Sequence, residues 1–291
     1  MGEEIQGVEK DTRWRKAIPE ALDQLQSRVL VWVVVPLLVV GTGVVYRPLT
    51  PAAAVPLLCS FAFAVVVWLL RSATLPAAAI GFLVCAILAR VPTIWTGFSR
   101  PPISRPAIPA LIALFVLTFA ATRFGRKKKE SRGVAEARSG RRASQIVANL
   151  GVAALCAAVG LFDGCIAALA EATADTVSSE FGQALGGSTW MLTTWRRVPS
   201  GEDGGVSLAG TTAGIVAAAL VVMAGSLHHA LWPDKALVFA AGCAGLFFDS
   251  VLGATVERRG WLGNDLVNFS STLFAATVPY AWLLAQGRIV L

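Results

Sequence analysis

The sequence contains little charge for its length. Only 15% of its 291 residues are Asp, Glu, Lys or Arg, whereas soluble domains average about 25%. Hydrophobic residues make up 55% of the chain, and the mean hydropathy is +0.65. So few charges do not cover a water-exposed surface of this size. The composition therefore excludes a disordered chain and an ordinary soluble protein, and it predicts an integral membrane protein.

Several common catalytic and metal-binding patterns are also missing. The five cysteines lie singly in apolar stretches, at no metal-ligand spacing and in no paired disulfide pattern. The chain has only two histidines, and it lacks a Walker A loop, a nucleophile elbow and a His-Glu-x-x-His motif. The Asp-Gly…Ala-Arg pattern of alcohol phosphotransferases is missing as well. These absences direct attention to carboxylates, amides and glycine-rich segments.

Long apolar runs predict an all-α, polytopic protein with nine transmembrane helices. Each run suits a helix that crosses a hydrocarbon layer of about 30 Å at 1.5 Å per residue. The predicted spans are at about 29–46, 52–70, 74–98, 107–122, 145–161, 164–185, 207–227, 236–254 and 265–286.

The segment 145–185 admits two interpretations. If it crosses the membrane once, the Arg196–Arg197 pair lies outside; if it crosses twice, that pair lies inside, with the basic segment that precedes it. The turn residues between Gly160 and Gly164 favour two helices.

Charge sets the predicted orientation. The segment 123–145 carries nine basic and two acidic residues, which equals the net charge of +7 for the whole chain. The positive-inside rule predicts that this segment and the N-terminus are cytoplasmic. The expected location is a prokaryotic plasma membrane, with the active face in the cytoplasm. The predicted parts are a cytoplasmic segment 1–28, a four-helix scaffold 29–122, a basic loop 123–145 and a five-helix catalytic-type domain 146–291.

The first candidate site is an acidic cluster, in contrast to the acid-free stretch between 29 and 122. Glu171 and Asp175 share a helix face, where two carboxylates repel unless a cation or a proton lies between them. Mg²⁺ prefers oxygen ligands. We predict a metal site with Asp175, completed by Glu171 or by Glu180, and Ser179 as a neighbouring phosphate-binding residue. A solvated helix end is the alternative.

The second candidate is the glycine-rich loop before the seventh predicted span. Gly204 and Gly205 precede a helix that begins near Ser207. Such a helix start presents free backbone N–H groups to an anion. Arg196 and Arg197 are candidates to clamp a phosphate group. Alternatively, the glycines serve only the turn.

The third candidate spans the last two predicted helices. Asp249 lies at the inner end of one, and Asn264, Asp265 and Asn268 lie at the start of the other. Asn264 and Asn268 share a helix face. Helix N-capping would explain one of these residues but leaves Asn268 unexplained within an apolar run. We expect this group to complete a polar site.

Together these segments resemble the transmembrane protein 19 family (domain of unknown function 92). The matching stretches are 170–182, 193–214 and 249–271, and the run DTVSSE from Asp175 to Glu180 is similar to the plant phytyl-phosphate kinase branch. The resemblance covers about 145–285, whereas the first four spans match only in hydrophobicity.

The resemblance implies transfer of a phosphoryl group from CTP or ATP to a phytyl- or geranylgeranyl-type monophosphate, with Mg²⁺. The expected partners are the lipid bilayer, the isoprenoid phosphate and the nucleotide, with no nucleic acid. The alternative is a transporter or carrier of polar lipids or anions without catalysis, which a polar site at one membrane face disfavours. The expected catalytic residues are Asp175, Glu180, Arg196, Arg197, Asp249 and Asp265. The expected phosphate-binding residues are Ser179, Gly204, Gly205, Ser207, Asn264 and Asn268, and the expected metal ligands are Glu171, Asp175 and Glu180.

Overall fold

Helices dominate the computed structural model, which describes residues 18–47, 49–91, 106–132, 140–227 and 234–287. A 3₁₀ turn, Pro51–Ala53, precedes the second helix. The helices are α1 (Glu20–Val45), α2 (Ala54–Leu69), α3 (Leu75–Leu88), α4 (Ile108–Arg123), α5 (Arg126–Ser131), α6 (Ala143–Ala158), α7 (Phe162–Leu185), α8 (Leu208–Gly225), α9 (Lys235–Leu252) and α10 (Asn264–Ala285).

Apart from the short α5, each helix coincides with one predicted span. Four of them, counted with the adjoining turns of α2 and α9, are long and apolar enough to cross a membrane: α1, α2, α8 and α9. Helices α3, α4 and α6 are apolar but shorter. The protein is therefore a helical membrane protein with four clear spans among its described residues, and nine crossings stay a prediction. The end of the third predicted span, 92–98, lies outside the described residues.

Helix α1 shows why the bundle needs a lipid environment. Leu30, Val34 and Leu38 are buried against the bundle, while Trp32 and Val40 on other faces are 78% and 63% exposed. A helix that is apolar on all sides is unfavourable in water and suits the hydrocarbon layer of a membrane.

The same helix begins earlier than the sequence predicted. It starts at Glu20 rather than near 29, because polar side chains of its first turns bind other elements. The Gln26 amide donates to the carbonyl of Trp261 (2.8 Å), and the Ser27 hydroxyl donates to Asp265 (2.7 Å). The predicted cytoplasmic segment 1–28 is thus partly helical.

Helix α7 lies at the centre of the bundle and packs on α4, α6, α8, α9 and α10. Its contact with α8 is close because two glycines of α8 face α7. A Cβ atom at Gly210 would lie 2.5 Å from the carbonyl oxygen of Ser178, and one at Gly214 would lie 2.7 Å from that of Ala174. Small residues at such crossings allow membrane helices to approach closely.

The two-helix interpretation of 145–185 is confirmed. Helix α6 ends at Ala158, the chain turns at Gly160 with φ of 77°, and α7 returns from Phe162. Lys128 and Arg132 of the basic segment donate to the carbonyls of Leu185 (3.0 Å) and Gln183 (2.9 Å) at the end of α7. The basic segment and the loop after α7 therefore lie at the same end of the bundle.

A small antiparallel sheet between α7 and α8 corrects the all-α prediction. Its strands are β1 (Thr189–Met191), β2 (Arg197–Val198) and β3 (Gly205–Ser207), in the order β2-β1-β3. Strands of two or three residues leave no detectable alternation in a sequence. Helix α9 continues into a π-helical turn, Gly253–Glu257, a feature often found at functional sites.

Candidate functional site

The three candidate segments meet around one polar cavity of about 230 Å³. It lies where α7 and α9 end and where α8 and α10 begin. Its polar lining comes from segments that are far apart in the chain. The lining residues include Asp175, Ser178, Ser179, Gln183, Ser200, Glu202, Asp203, Gly204, Gly205, Ser207, Asp249, Ser250, Glu257, Asn264 and Asn268.

A second polar cavity of about 160 Å³ adjoins the first. The two cavities share Asp175, Ser179, Gln183, Asn264 and Asn268. The smaller one extends towards the start of α6, where Arg141 lies beside Thr176 and its guanidinium Nη2 donates to the threonine hydroxyl (3.3 Å). The shared lining makes them two compartments of one polar region.

Two carboxylates face the larger cavity from neighbouring helices, Asp175 on α7 and Asp249 on α9. The Ser271 hydroxyl donates to Oδ2 of Asp249 (3.1 Å) and orients that carboxylate. Asp249 also interacts electrostatically with Asp175, Glu257 and Asp203. So much negative charge in one cavity favours a cation or cationic side chains nearby.

The predicted metal triad of Glu171, Asp175 and Glu180 is not formed. Among the described residues, no group of three or more His, Cys, Asp and Glu side chains is arranged to hold a metal ion. Mg²⁺, however, is usually held by one or two carboxylates together with substrate phosphates and water. Asp175 and Asp249 fit that smaller set of ligands.

Glu171 lies deeper in the bundle than the cavity lining. Its side chain is buried, and within the described part of the chain neither carboxylate oxygen has a hydrogen-bond partner. A Cβ atom at Gly245 of α9 would lie 2.5 Å from the Cγ of Glu171, so the glycine makes room for this side chain. Glu171 interacts electrostatically with Asp175 and Asp249, which places it behind the two cavity carboxylates.

Glu180 has a different partner from the one that the sequence predicted. Its carboxylate forms a buried ion pair with Lys129 of α5. The lysine Nζ also donates to the carbonyls of Ala121 (3.1 Å) and Thr122 (2.9 Å) at the end of α4. Glu180 is five residues beyond Asp175 on a regular helix. It therefore lines the smaller polar cavity beside Asp175 but not the larger one. The structure gives it a role in holding α5 on α7.

The structure does not bring Arg196 and Arg197, the predicted phosphate clamp, to the polar cavities. Both side chains are exposed on the small sheet, and neither lines the described polar cavities. The Arg197 guanidinium lies over the Trp190 ring, 5.1 Å from its centroid, because β2 is an edge strand paired with β1.

Asp265 is also placed away from the cavity. It is buried in the first turn of α10 and accepts the hydrogen bond from Ser27 of α1. Asn264 and Asn268 share one helix face, and Asp265 lies on another. Both asparagines therefore line the two described polar cavities, whereas Asp265 lines neither of them. Asp265 connects the first and last helices.

The glycine-rich loop leads directly into a helix start, as predicted. Strand β3 ends at Ser207, whose hydroxyl accepts from the backbone N–H of Gly210 (3.2 Å) and caps α8. Gly204 has a φ of 73°, and a Cβ atom there would lie 2.3 Å from the backbone N of Ala254. Only glycine allows this close contact between the loop and the π-helical turn.

A buried ion pair holds the same loop against the end of α9. Arg258 Nη1 lies 3.1 Å from Glu202 Oε1, and both side chains are at most 9% exposed. The arginine offsets the negative charge of Glu202 beside the cavity. The sequence pattern pointed to Arg196 and Arg197 and gave no signal for the ion pair between Arg258 and Glu202.

Several residues of the polar region were not predicted. Arg141 was assigned only to the basic loop, because nothing in a run of basic residues distinguishes the one that points inward. Asp203 lies in a loop and Glu257 in the π-helical turn, so no regular helix relates either of them to Asp175 in the sequence. Their proximity depends on the contact between the glycine-rich loop and the π-helical turn.

Long apolar helices around a polar cavity define a helical membrane protein with a candidate site at one end of its bundle. A family model described as "Integral membrane protein DUF92" matches residues 58–276. The match covers more than half of the chain, and the protein therefore belongs to this family.

Relatives occur in a plant, a cyanobacterium and an archaeon. "Protein VTE6, chloroplastic" of Arabidopsis thaliana is 33% identical over 54% of this chain and 52% of its own length. "Uncharacterized membrane protein sll0875" of Synechocystis is 35% identical over 58% of this chain and 70% of its own length. "Uncharacterized membrane protein MJ0933" of Methanocaldococcus jannaschii is 33% identical over 58% of this chain and 72% of its own length. The chain thus spans about half the length of the plant relative, and no solved structure matches it.

Proposed function

We propose that this protein is a kinase that converts an isoprenoid monophosphate to the diphosphate, with a nucleoside triphosphate as donor. The main support for the proposal is the polar cavity, which gathers five carboxylates, three side-chain amides and a glycine-rich helix start at one end of the bundle. The resemblance of these segments to the phytyl-phosphate kinase branch and the 33% identity with the plant protein VTE6 support it.

The reaction matches the residue types of the cavity. The acceptor phosphate already carries negative charge, so no strong general base is needed, and histidine is not required. The difficulty is to bring two anions together, which needs positive charge and aligned hydrogen-bond donors. Mg²⁺ would supply positive charge between the phosphate groups.

Each group of residues has a distinct proposed role. Asp175 and Asp249 bind Mg²⁺, while the amides of Asn264 and Asn268 donate hydrogen bonds to phosphate oxygens. The backbone N–H groups at the start of α8 face an anion through the positive end of the helix dipole. An oxygen of the acceptor phosphate forms a bond to the γ-phosphorus, the bond from that phosphorus to the bridging oxygen breaks, and the nucleoside diphosphate leaves.

Loss of Asp175 should abolish the activity. We expect purified full-length protein in nanodiscs, with Mg²⁺, to form diphosphate from phytyl or geranylgeranyl monophosphate with CTP or ATP. Asp175→Asn keeps the size of the side chain but removes the charge that holds the cation, so the rate should fall by about 10²-fold or more. A nucleotide-by-lipid screen with product analysis measures this.

Asp163→Asn is the matched control, because Asp163 lies in the first turn of the same helix and lines neither of the two described polar cavities. This variant should keep a rate close to that of the original protein. A full rate with Asp175→Asn, or no diphosphate from any combination in a folded preparation, would contradict the proposal.

A further inference from the structure

A large apolar cavity adjoins the polar region on the side of the first four helices. Its volume is about 640 Å³, within the range of roughly 300–1,000 Å³ that is usual for small-molecule sites. Side chains of α2, α4 and α6 form its walls, among them Phe63, Leu111, Leu114, Phe115 and Leu150. From the sequence, the first four helices were predicted only to form a scaffold.

One end of this cavity is basic. Five cationic side chains line it against a single carboxylate, that of Glu130, which pairs with Arg126 at 3.1 Å. This end is formed by the turn between α2 and α3, the end of α4 and the start of α6. The cationic residues are Arg71, Arg123, Arg126, Lys127 and Arg141.

The basic end has a defined backbone structure. The N–H of Arg141 donates to the carbonyl of Ser72 (3.0 Å), and the N–H of Thr74 donates to the carbonyl of Arg141 (3.0 Å). Arg71 has a φ of 53°, a conformation that non-glycine residues rarely adopt. A Cβ atom at Gly140 would lie 2.6 Å from the backbone of the same turn. Strained backbone held by its surroundings is typical of binding sites.

A polar atom at this end is left without a partner. The hydroxyl oxygen of Ser72 is buried and lines the cavity, and within the described ranges it has no hydrogen-bond partner. A buried hydroxyl without a partner is costly, so a ligand oxygen at this point would relieve a penalty.

Arg141 connects the apolar cavity to the candidate active site. Its side chain lines both the apolar cavity and the smaller polar cavity, which also contains Asp175. Arg141 interacts electrostatically with Asp175. A phosphate bound at Arg141 would therefore lie beside the carboxylate that we assign to the cation, with its hydrocarbon chain in the apolar cavity.

We infer that this cavity binds the acceptor of the proposed kinase, a single-chain isoprenoid monophosphate, with the chain between α2, α3 and α4 and the phosphate at Arg141. The assignment rests on the proposed function and adds to it the location of the lipid. The apolar walls suit a hydrocarbon chain, and the excess of positive charge at one end suits its phosphate group.

Gly81→Phe tests the site because it fills the cavity with little strain. Gly81 of α3 lines the cavity, and a Cβ atom there meets nothing within 4 Å. Gly43 of α1 is the control, since it is also helical and open but is not in the cavity lining. The measurement is equilibrium binding of labelled geranylgeranyl monophosphate to the full-length protein in nanodiscs, without nucleotide.

Gly81→Phe should weaken this binding by about tenfold or more, since excluding a few methylene groups from an apolar site has that effect. Gly43→Phe should leave it unchanged. Arg141→Gln should abolish the preference for the monophosphate over geranylgeraniol, and inorganic phosphate should not compete. Equal binding by the two glycine variants, or equal competition by dioleoyl phosphatidic acid, would overturn the assignment.

Two measurements separate the location of the lipid from the kinase activity. If diphosphate forms but Gly81→Phe leaves the KM for the lipid unchanged, the protein is a kinase but the lipid does not bind in this cavity. If the lipid binds as described but no nucleotide gives product, the cavity is a lipid site and the protein is not a kinase.

Discussion

At the scale of single residues, charge pairing decides which carboxylates are available for chemistry. Asp175 and Asp249 line the larger cavity. Glu180 pairs with Lys129, and Glu202, which also lines that cavity, pairs with Arg258. Sequence spacing identified the acidic cluster because residues on one helix have a known angular relation. It did not identify the two ion pairs, because Lys129 and Arg258 lie on other elements, at distances along the chain that follow no helical period.

The role of Glu180 is testable through its partner. Glu180→Gln should destabilise the folded protein by about 3 kcal/mol, because it leaves a buried lysine charge unpaired. The double variant with Lys129→Met should recover most of that loss, since both charges are then gone. Thermal unfolding in detergent measures the stability.

The phosphoryl-transfer rate per folded molecule shows whether Glu180 only pairs with Lys129 or also binds the cation. We expect it to remain within about threefold of the original rate in the double variant. A loss as large as that of Asp175→Asn would show that Glu180 acts on the cation after all.

At the scale of elements, small residues determine how closely the neighbouring helices pack on the central helix α7. The predicted helices agree with the structure because their hydrophobic runs are long and strongly apolar. The sheet β2-β1-β3 and the π-helical turn were not predictable, because both depend on contacts between loops. Gly204, for example, needs its φ of 73° only because Ala254 lies against it.

Substitution of two helical glycines by alanine should have opposite effects. Gly214→Ala should destabilise the protein by about 1–3 kcal/mol, since the new methyl group would lie 2.7 Å from the carbonyl oxygen of Ala174. Gly43→Ala meets nothing within 4 Å and should be neutral or stabilising by up to about 1 kcal/mol, from helix propensity. Unfolding midpoints of the two variants provide the test, and equal midpoints would contradict the close packing of α7 and α8.

At the scale of the whole molecule, the basic segment and the polar cavities lie at the same end of the bundle. Lys128 and Arg132 bind the end of α7, and Arg141 reaches the cavity that contains Asp175. If the positive-inside rule holds for this segment, the candidate site faces the cytoplasm, where nucleotide is available.

Cysteine labelling tests this orientation. In a background with the five native cysteines replaced, Arg259→Cys lies on the exposed loop after α9, and Leu227→Cys lies at the other end of the bundle. An impermeant thiol reagent added to intact cells should label Leu227→Cys and label Arg259→Cys only after lysis. The reverse pattern would invert the orientation, and labelling of both from outside would contradict the arrangement of spans.

The central claim is that the cavity around Asp175 transfers a phosphoryl group to a lipid phosphate. Its most direct test follows the labelled γ-phosphoryl group of the nucleotide in purified protein with isoprenoid monophosphate and Mg²⁺. We expect label in the terminal phosphate of the lipid diphosphate for the original protein and for Asp163→Asn, and almost none for Asp175→Asn. Label that appears only in inorganic phosphate, or equal transfer by Asp175→Asn, would contradict it.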